Sequence, residues 1–149
     1  MIWTRQRMTP LELLGRLQNI DVDRAAKMTL GETREIFLDL NREQLMSGIR
    51  SDKSNITPEY TYFTRQKKQE QGRDPDVVTL YDTGDFYRGM FLDVGSDLLE
   101  VDSTDYKSEE LQEKYGEKIF GLTDDSKTTY LGEIFPVFLQ KIEDILNGK

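Results

Sequence analysis

The chain has 149 residues, 36% hydrophobic and 32% charged, which allows one domain around a modest core and leaves no apolar run of the roughly 18 residues that a membrane span needs. It contains no Cys and no His, so disulfides, thiolate zinc sites and cysteine nucleophiles are excluded, and the usual general base near neutral pH is missing. The net charge of −8 combines 13 Lys and Arg against 10 Asp and Glu in residues 1–73 with 7 against 18 in residues 74–149, and such an acidic half argues against direct nucleic-acid binding.

Residues 1–47 are predicted to be helical. A capping box with proline at the first helical position spans Thr9–Glu12, and the apolar residues after it repeat at helical spacing: Leu13, Leu14, Leu17 and Ile20. A longer helix is predicted over residues 22–47, weakened at Gly31 and ended by Gly48. Its apolar face should pack on a sheet through Ala26, Leu30, Phe37 and Leu40.

Residues 48–76 are polar and rich in turn formers, and we predict an extended loop or arm there. Aromatic residues lie beside basic ones in this segment, namely Tyr60, Tyr62, Phe63, Arg65, Lys67, Lys68 and Arg73. Such a mixture occurs in proteins that bind single-stranded nucleic acid. Because only four basic residues precede a strongly acidic remainder, we favour an arm that becomes ordered against a neighbouring subunit.

Strands are predicted over residues 77–104. The β-prone run at 77–81 ends at the turn 82–84, the segment 86–94 alternates in polarity, and a turn at 95–97 leads to a return strand around 99–101. Gly84 is expected to permit a turn that a β-carbon would strain. The apolar residues after it should pack the sheet against the last helix or line a subunit contact: Phe86, Tyr87 and Met90.

Residues 105–149 are again predicted to be helical. A short acidic helix begins at Ser108 and stops at Gly116, and Thr123 caps a final helix with a broad apolar stripe. Pro136 should kink or restart that final helix. The predicted architecture is α+β in a single domain, with long N-terminal helices and a kinked C-terminal helix packed on a small antiparallel β-sheet.

The triplet Asp82-Thr83-Gly84 is the motif most suggestive of catalysis, because retropepsin-like aspartic proteases place a catalytic carboxylate in such a triplet after an apolar strand. Asp85 stands where those proteases use a small residue, and a second carboxylate there would disturb a shared-proton pair. The interval to the apolar-Gly segment at Ile119 is also short for that fold. The protease interpretation is therefore the least favoured, and we predict a protein that is not an enzyme.

An acidic cluster around the predicted hairpin could hold a hard cation such as calcium: Asp93, Asp97, Glu100, Asp102 and Asp105. The cluster lacks the spacing of an EF-hand, and Asp102 lies between Val101 and Ser103 in the alternation of a strand, where it is expected to face solvent. Phosphate-binding glycine loops are not found either. We therefore predict no metal site and no cofactor.

The order of these features resembles the phage tail-completion and virion-morphogenesis proteins, the small neck proteins of lambda-like and Mu-like tailed phages. The matching features are the helix at 22–47, the loop at 51–60, Lys67-Lys68, the Leu-x-x-Thr-Gly turn at 80–84, Tyr115-Gly116, and the link at 120–124 before the last helix. The chain departs from the family at 114–119, where the family often has His before the glycine and Arg-Pro before the link. The chain therefore resembles a divergent member of this family.

The resemblance implies a structural subunit that forms an oligomeric ring at the head–tail junction, without catalysis or a membrane. Its partners would be copies of itself and the connector, neck or tail-tube proteins, in a virion assembled in the host cytoplasm; residues 1–7 are too polar for a signal peptide. Candidate contact residues are Tyr60, Tyr62, Phe63, Arg65, Lys67, Lys68, Thr83, Gly84, Phe86, Tyr87 and Met90. The alternative is a general protein-interaction or regulatory α+β domain.

Overall fold

The computed structural model describes residues 8–149. Within that range the helices are α1 (Pro10–Gln18), α2 (Val22–Glu32), α3 (Arg34–Met46), α4 (Tyr62–Glu70), α5 (Asp85–Arg88), α6 (Ser108–Tyr115) and α7 (Asp124–Leu146). Strands β1 (Met90–Val94) and β2 (Leu99–Ser103) form one antiparallel sheet, and a 3₁₀ turn spans Glu117–Ile119. This architecture confirms the predicted α+β class.

Helix α1 begins as its sequence predicts, but it buries none of its residues. The Thr9 hydroxyl accepts from the Glu12 N–H at 3.1 Å, and the Glu12 carboxylate accepts from the Thr9 N–H at 2.8 Å. Its other end is held by a hydrogen bond between residues distant in sequence, in which the Arg16 guanidinium donates to the Leu146 carbonyl at 2.6 Å. The capping box therefore stabilises a helix whose leucines remain on the surface.

The single helix predicted over residues 22–47 is interrupted at Thr33, which divides it into α2 and α3. The Thr33 hydroxyl donates to the Thr29 carbonyl at 2.7 Å and lies 2.8 Å from the Tyr130 hydroxyl of α7. The Thr29 hydroxyl bonds the Ala25 carbonyl in the same way, at 2.8 Å. Threonine hydroxyls that bond carbonyls one turn back bend helices, which explains a break here and not at the predicted weak point, Gly31.

The predicted extended arm at 48–76 contains a helix, α4, and its first part is fastened to the body. The Arg50 guanidinium donates to the carbonyls of Tyr115 and Thr57 at 2.8 and 2.7 Å, and the Ser51 N–H donates to the Lys118 carbonyl at 2.8 Å. The prediction of an extended arm is wrong for residues 62–70, which are helical. Lys68 is the one residue that this helix buries. A helix without a buried apolar face has no periodicity for a sequence pattern to detect.

The hairpin is confirmed, with Met90 opposite Ser103 and Val94 opposite Leu99. Two strand predictions are wrong: residues 77–81 pair with no strand in the described part of the chain, and residues 85–88 form α5. Side chains hold the 77–81 segment instead, since the Tyr60 hydroxyl accepts from the Thr79 N–H at 3.0 Å. High β-propensity makes a strand only where a partner strand is available.

Helix α7 packs along α2 and closes the core. It continues through Pro136 and is bent, so the proline does not restart the helix. The Thr123 hydroxyl caps it, accepting from the Ser126 N–H at 3.2 Å, as predicted. In the core, the rings of Phe37 and Tyr130 meet edge to face at 5.4 Å.

The remaining large side chains of the core come from α3, the segment 56–80, α5, β1, the end of α6, the link at 119–122 and α7: Leu38, Leu45, Ile56, Val78, Leu80, Phe86, Tyr87, Met90, Leu92, Tyr115, Ile119, Leu122 and Ile134. None of the helices in residues 8–149 combines the length and the apolar character that crossing a membrane requires.

Candidate functional site

A cleft of about 280 Å³ lies between α4, the segment 80–86, and helix α6 with the turn that precedes it. The chain brings six of the predicted contact residues to it, although they are distant in sequence: Tyr60, Lys67, Lys68, Thr83, Gly84 and Phe86. Residues from α6 and the turn before it close the other side, and sequence reasoning did not connect them with the site: Asp105, Lys107, Leu111 and Tyr115.

Lys68 is the unusual residue of this cleft, because only 7% of it is exposed. Its ammonium donates to the Tyr81 carbonyl and lies 5.4 Å from the centre of the Tyr60 ring. Within residues 8–149 it forms no ion pair with a carboxylate. Buried lysines are normally paired with a carboxylate. Among the described residues, this ammonium instead has a carbonyl dipole and the face of an aromatic ring.

The wall of the cleft opposite α4 carries a strained backbone at Leu80, whose φ is +58°. A bulky residue in the left-handed region is uncommon and costs about 1–3 kcal/mol. Its surroundings hold it there. The Arg73 guanidinium donates to the carbonyls of Tyr81 and Asp82 at 3.2 and 2.9 Å, and the Tyr87 hydroxyl donates to the Thr79 carbonyl at 2.5 Å.

Gly84 ends this wall with φ +89° and immediately precedes α5. A β-carbon there would lie 2.8 Å from the Tyr81 hydroxyl and 2.8 Å from the Arg88 guanidinium. This confirms the prediction that Gly84 permits a turn that a side chain would strain. The turn at Gly84 leads into α5, which is a single turn of helix, and strand β1 begins only after that helix.

The triplet at 82–84 sits at the mouth of the cleft. Asp82 lies 3.8 Å from the Lys67 ammonium, and the Thr83 hydroxyl donates to the Asp85 carboxylate at 2.8 Å. That hydrogen bond, with a second from Arg88, lowers the pKa of Asp85. The triplet here precedes a helix and follows an unpaired segment, which is not the strand context of the protease motif.

Three predicted contact residues lie in the core: Phe86, Tyr87 and Met90 are 4%, 7% and 4% exposed, and of these Phe86 also lines the cleft. Burial raises the pKa of the Tyr87 phenol, first of all through desolvation of its charged form. Of the two roles predicted for these residues, packing is therefore the one that the fold provides, and the subunit-contact prediction is corrected for them. Their apolar spacing looked the same for either role, because a buried face and an interface face have equal periodicity.

The other predicted contact residues lie on the outer surface of α4. Tyr62 and Phe63 are 69% and 80% exposed, and their rings meet edge to face at 5.9 Å. Arg65 pairs with Asp76 at 2.5 Å. These three residues do not line the cleft.

Two helices expose apolar side chains in rows. The leucines of α1 remain 43–80% exposed: Leu11, Leu13, Leu14 and Leu17. On α7 the residues Leu131, Phe135 and Leu139 are 60%, 56% and 48% exposed. Sequence reasoning identified both rows as helix faces, but it could not separate a face that packs inside the chain from a face left on the surface.

Among the acidic residues near the hairpin, Asp102 bonds to neighbouring residues of the chain. The Asp102 carboxylate accepts from the Ser108 hydroxyl and from the Ser103 N–H, both at 2.7 Å. In residues 8–149 no group of three or more acidic side chains is placed to hold a metal ion.

Comparison of the chain with protein-family models, with curated proteins and with solved structures finds no match.

Proposed function

We propose that this chain is a structural subunit of a tailed-phage virion, a divergent tail-completion or head–tail connector protein that acts without catalysis. The subunit would form an oligomeric ring between connector and tail and would contact the connector, neck or tail-tube proteins. The ordered set of helix, polar segment, Thr-Gly turn, strand pair, apolar-Gly link and closing helix supports the family assignment.

The exposed apolar row of α7 is the observation that most supports an assembly role. Leu131, Phe135 and Leu139 follow one another at a spacing of four residues, so they are neighbours along the helix surface. Each is about half exposed or more. Large apolar side chains in contiguous patches mark interaction surfaces in soluble proteins.

Helix α1 adds a second surface of the same kind. A helix that buries no residue gains little from packing on its own chain, and short isolated helices are marginal in water. Its capping box and its bond from Arg16 to the end of α7 hold it in place. Contact with another subunit would bury its leucines, with each fully buried leucine contributing about 1.5–3 kcal/mol.

Sedimentation velocity over a range of protein concentrations tests the proposal. The variant combines Leu131→Lys with Phe135→Lys, and the control is Glu133→Lys, which makes the same total change of charge on the same helix. We expect the parent and the control to self-associate and the double variant to need at least about tenfold more protein for the same degree of association.

Two results would overturn the proposal. One is a parent chain that stays monomeric at every concentration and ignores purified connector and tail-tube proteins. The other is a double variant that associates as the parent does while the control is also unchanged.

A further inference from the structure

We propose that the cleft between α4 and α6 binds a ligand in which a carboxylate is attached to an apolar group. This inference goes beyond the assembly role and does not depend on it. It rests on the buried ammonium at the base of the cleft, on the charges at its rim and on its apolar lining.

The ammonium of Lys68 is only partly satisfied by the protein. An ammonium has three N–H donors, and among the described residues the Tyr81 carbonyl is the one acceptor that Lys68 reaches. A buried charge without a counter-ion is costly, and a carboxylate entering the cleft would supply two further acceptors and the missing charge. Lys68 is thus the group we expect to pair with the ligand.

Two of the three acidic residues that line the cleft, Asp82 and Asp85, are paired with basic side chains, which reduces their repulsion of an anion. The Lys67 ammonium lies 3.8 Å from Asp82, and the Arg88 guanidinium pairs with Asp85. The Asp105 carboxylate accepts from the backbone N–H of Lys107 at 3.3 Å and keeps its negative charge. By contrast, the Lys107 ammonium forms no ion pair in the part of the chain described, and it lies 5.6 Å from the centre of the Tyr106 ring. The charges left for a ligand are therefore the ammonium groups of Lys68 and Lys107 and the carboxylate of Asp105, which together are net positive.

Apart from these charged residues, Thr64, Thr83 and Gly84, the lining is apolar or aromatic and includes Tyr81. An apolar group is therefore the second part that we infer for the ligand. Leu80, Phe86 and Tyr115 are 9%, 4% and 6% exposed, and each contributes to the cleft. Tyr60 and Leu111 complete this lining. Ligand pockets typically combine such a lining with a few polar groups that fix orientation.

The size of the cleft limits the ligand. Its 280 Å³ lies just below the roughly 300–1,000 Å³ of most small-molecule pockets. It suits a small aromatic or aliphatic acid, or a single apolar side chain of a peptide with a carboxylate next to it.

The wall at Leu80 is held in one conformation before any ligand arrives. Its positive φ is maintained by hydrogen bonds to the residues on either side, from Arg73 to Tyr81 and from Tyr87 to Thr79. Strained backbone of this kind is concentrated at ligand sites. A preformed wall also lowers the entropy cost of binding.

Titration of the full ¹⁵N-labelled chain, followed by NMR, tests the proposal with 3-phenylpropionate and its neutral amide, 3-phenylpropanamide. The two probes differ in charge and share the apolar group. We expect saturable shifts of backbone amides around the cleft, with the amide binding at least about tenfold more weakly, as the loss of a charge-assisted hydrogen bond predicts. Equal binding of the two probes, absence of binding by the acid, or shifts confined to other surfaces would overturn it.

Two peptides identify where the carboxylate comes from. Acetyl-Gly-Phe has a free C-terminal carboxylate beside its ring, and acetyl-Glu-Phe-amide has only a side-chain carboxylate. Tighter binding of the first supports a chain terminus as the ligand, and tighter binding of the second supports an internal acidic residue. Binding of 3-phenylpropionate alone supports a small acid.

Variants test the role of the ammonium separately. Lys68→Met keeps the aliphatic chain and removes the charge, and Lys127→Met on α7 is the control. We expect at least about tenfold weaker binding of 3-phenylpropionate by the first variant and no change in the second. If Lys68→Met does not fold, Lys107→Gln takes its place, with an expected loss of severalfold. Unchanged binding in a folded Lys68→Met, or in Lys107→Gln where it replaces it, would contradict the proposal.

Discussion

Two carboxamide side chains of α3 bind the backbone that leads into α7. Asn41 is fully buried; its amide donates to the Ile119 carbonyl at 3.0 Å and its oxygen accepts from the Gly121 N–H at 2.9 Å. One turn further on, Gln44 donates to the Gly121 carbonyl at 3.0 Å and accepts from the Thr123 N–H at 2.9 Å. The link at 119–123 is therefore satisfied by side chains, as buried backbone groups must be.

Replacement of Asn41 by Ala should destabilise the protein by about 3 kcal/mol, because it leaves a buried N–H and a buried C=O without partners. Urea unfolding followed by circular dichroism measures the change. Asn55→Ala is the control, since Asn55 is exposed, and it should stay within about 0.5 kcal/mol of the parent. A loss no larger than that of the control would contradict this role of Asn41.

Hydrogen bonds also set the acidity of one exposed carboxyl. The hydroxyl and the N–H of Ser54 donate to Asp52 at 2.5 and 3.0 Å and, with a smaller contribution from Lys118, lower the pKa of Asp52 to about 2. A carboxyl whose pKa is lower in the folded state stabilises that state above its unfolded pKa, near 3.8. That contribution is lost as the pH falls from about 4 through about 2.

In Ser54→Ala, the pKa of Asp52 should rise toward its usual value, and NMR titration of the side-chain carboxyl carbon measures it. Lys118→Met should raise it less, because the lysine contributes less than the serine. A pKa that rises more in Lys118→Met than in Ser54→Ala would mean that the ion pair at 3.4 Å is the main cause.

At the scale of elements, sequence reasoning succeeded where a local signal decides the structure. The capping box predicted the start of α1, the alternation on both sides of the turn at 95–97 predicted the hairpin, and Ser108 and Gly116 bounded α6. In each of these places the stabilising contacts lie within a few residues, so the pattern contains them.

Sequence reasoning failed where a contact with a residue distant in sequence determines the local structure. The unpaired segment 77–81 is held by Tyr60 and Tyr87, and at the break between α2 and α3 the contact of Thr33 with Tyr130 of α7 adds to the local hydroxyl bonds. Helix α4 turns its one buried side chain, Lys68, toward Tyr81. Because lysines are rarely buried, a sequence gives no reason to place Lys68 inside the protein. The basic and aromatic residues were therefore recognised as a group, but the cleft that they line was not.

Two glycines in different elements should respond to alanine in opposite ways. Gly84→Ala adds a β-carbon at positive φ, 2.8 Å from two side-chain atoms, and should destabilise the protein by about 1–3 kcal/mol. Gly132→Ala lies inside α7 with nothing within 4 Å, and should stabilise it by about 0.5–1 kcal/mol. Thermal unfolding of both variants checks the signs, and a neutral Gly84→Ala would contradict the role of the turn.

At the scale of the whole molecule, residues 8–149 form one well-packed core with two rows of exposed apolar side chains outside it. The core joins α3, the hairpin, α6 and α7, while the rows of α1 and α7 remain on the surface. The charge is also unequal, basic in residues 1–73 and acidic in residues 74–149. Exposed apolar rows and opposite charges in one chain suit contacts between copies.

Negative-stain electron microscopy of the purified chain, at high concentration and with purified connector or tail-tube protein, tests the proposed assembly role most directly. We expect closed rings of uniform diameter, which are lost in the Leu131→Lys, Phe135→Lys variant and retained in Glu133→Lys. Particles that remain single subunits under all of these conditions would contradict it.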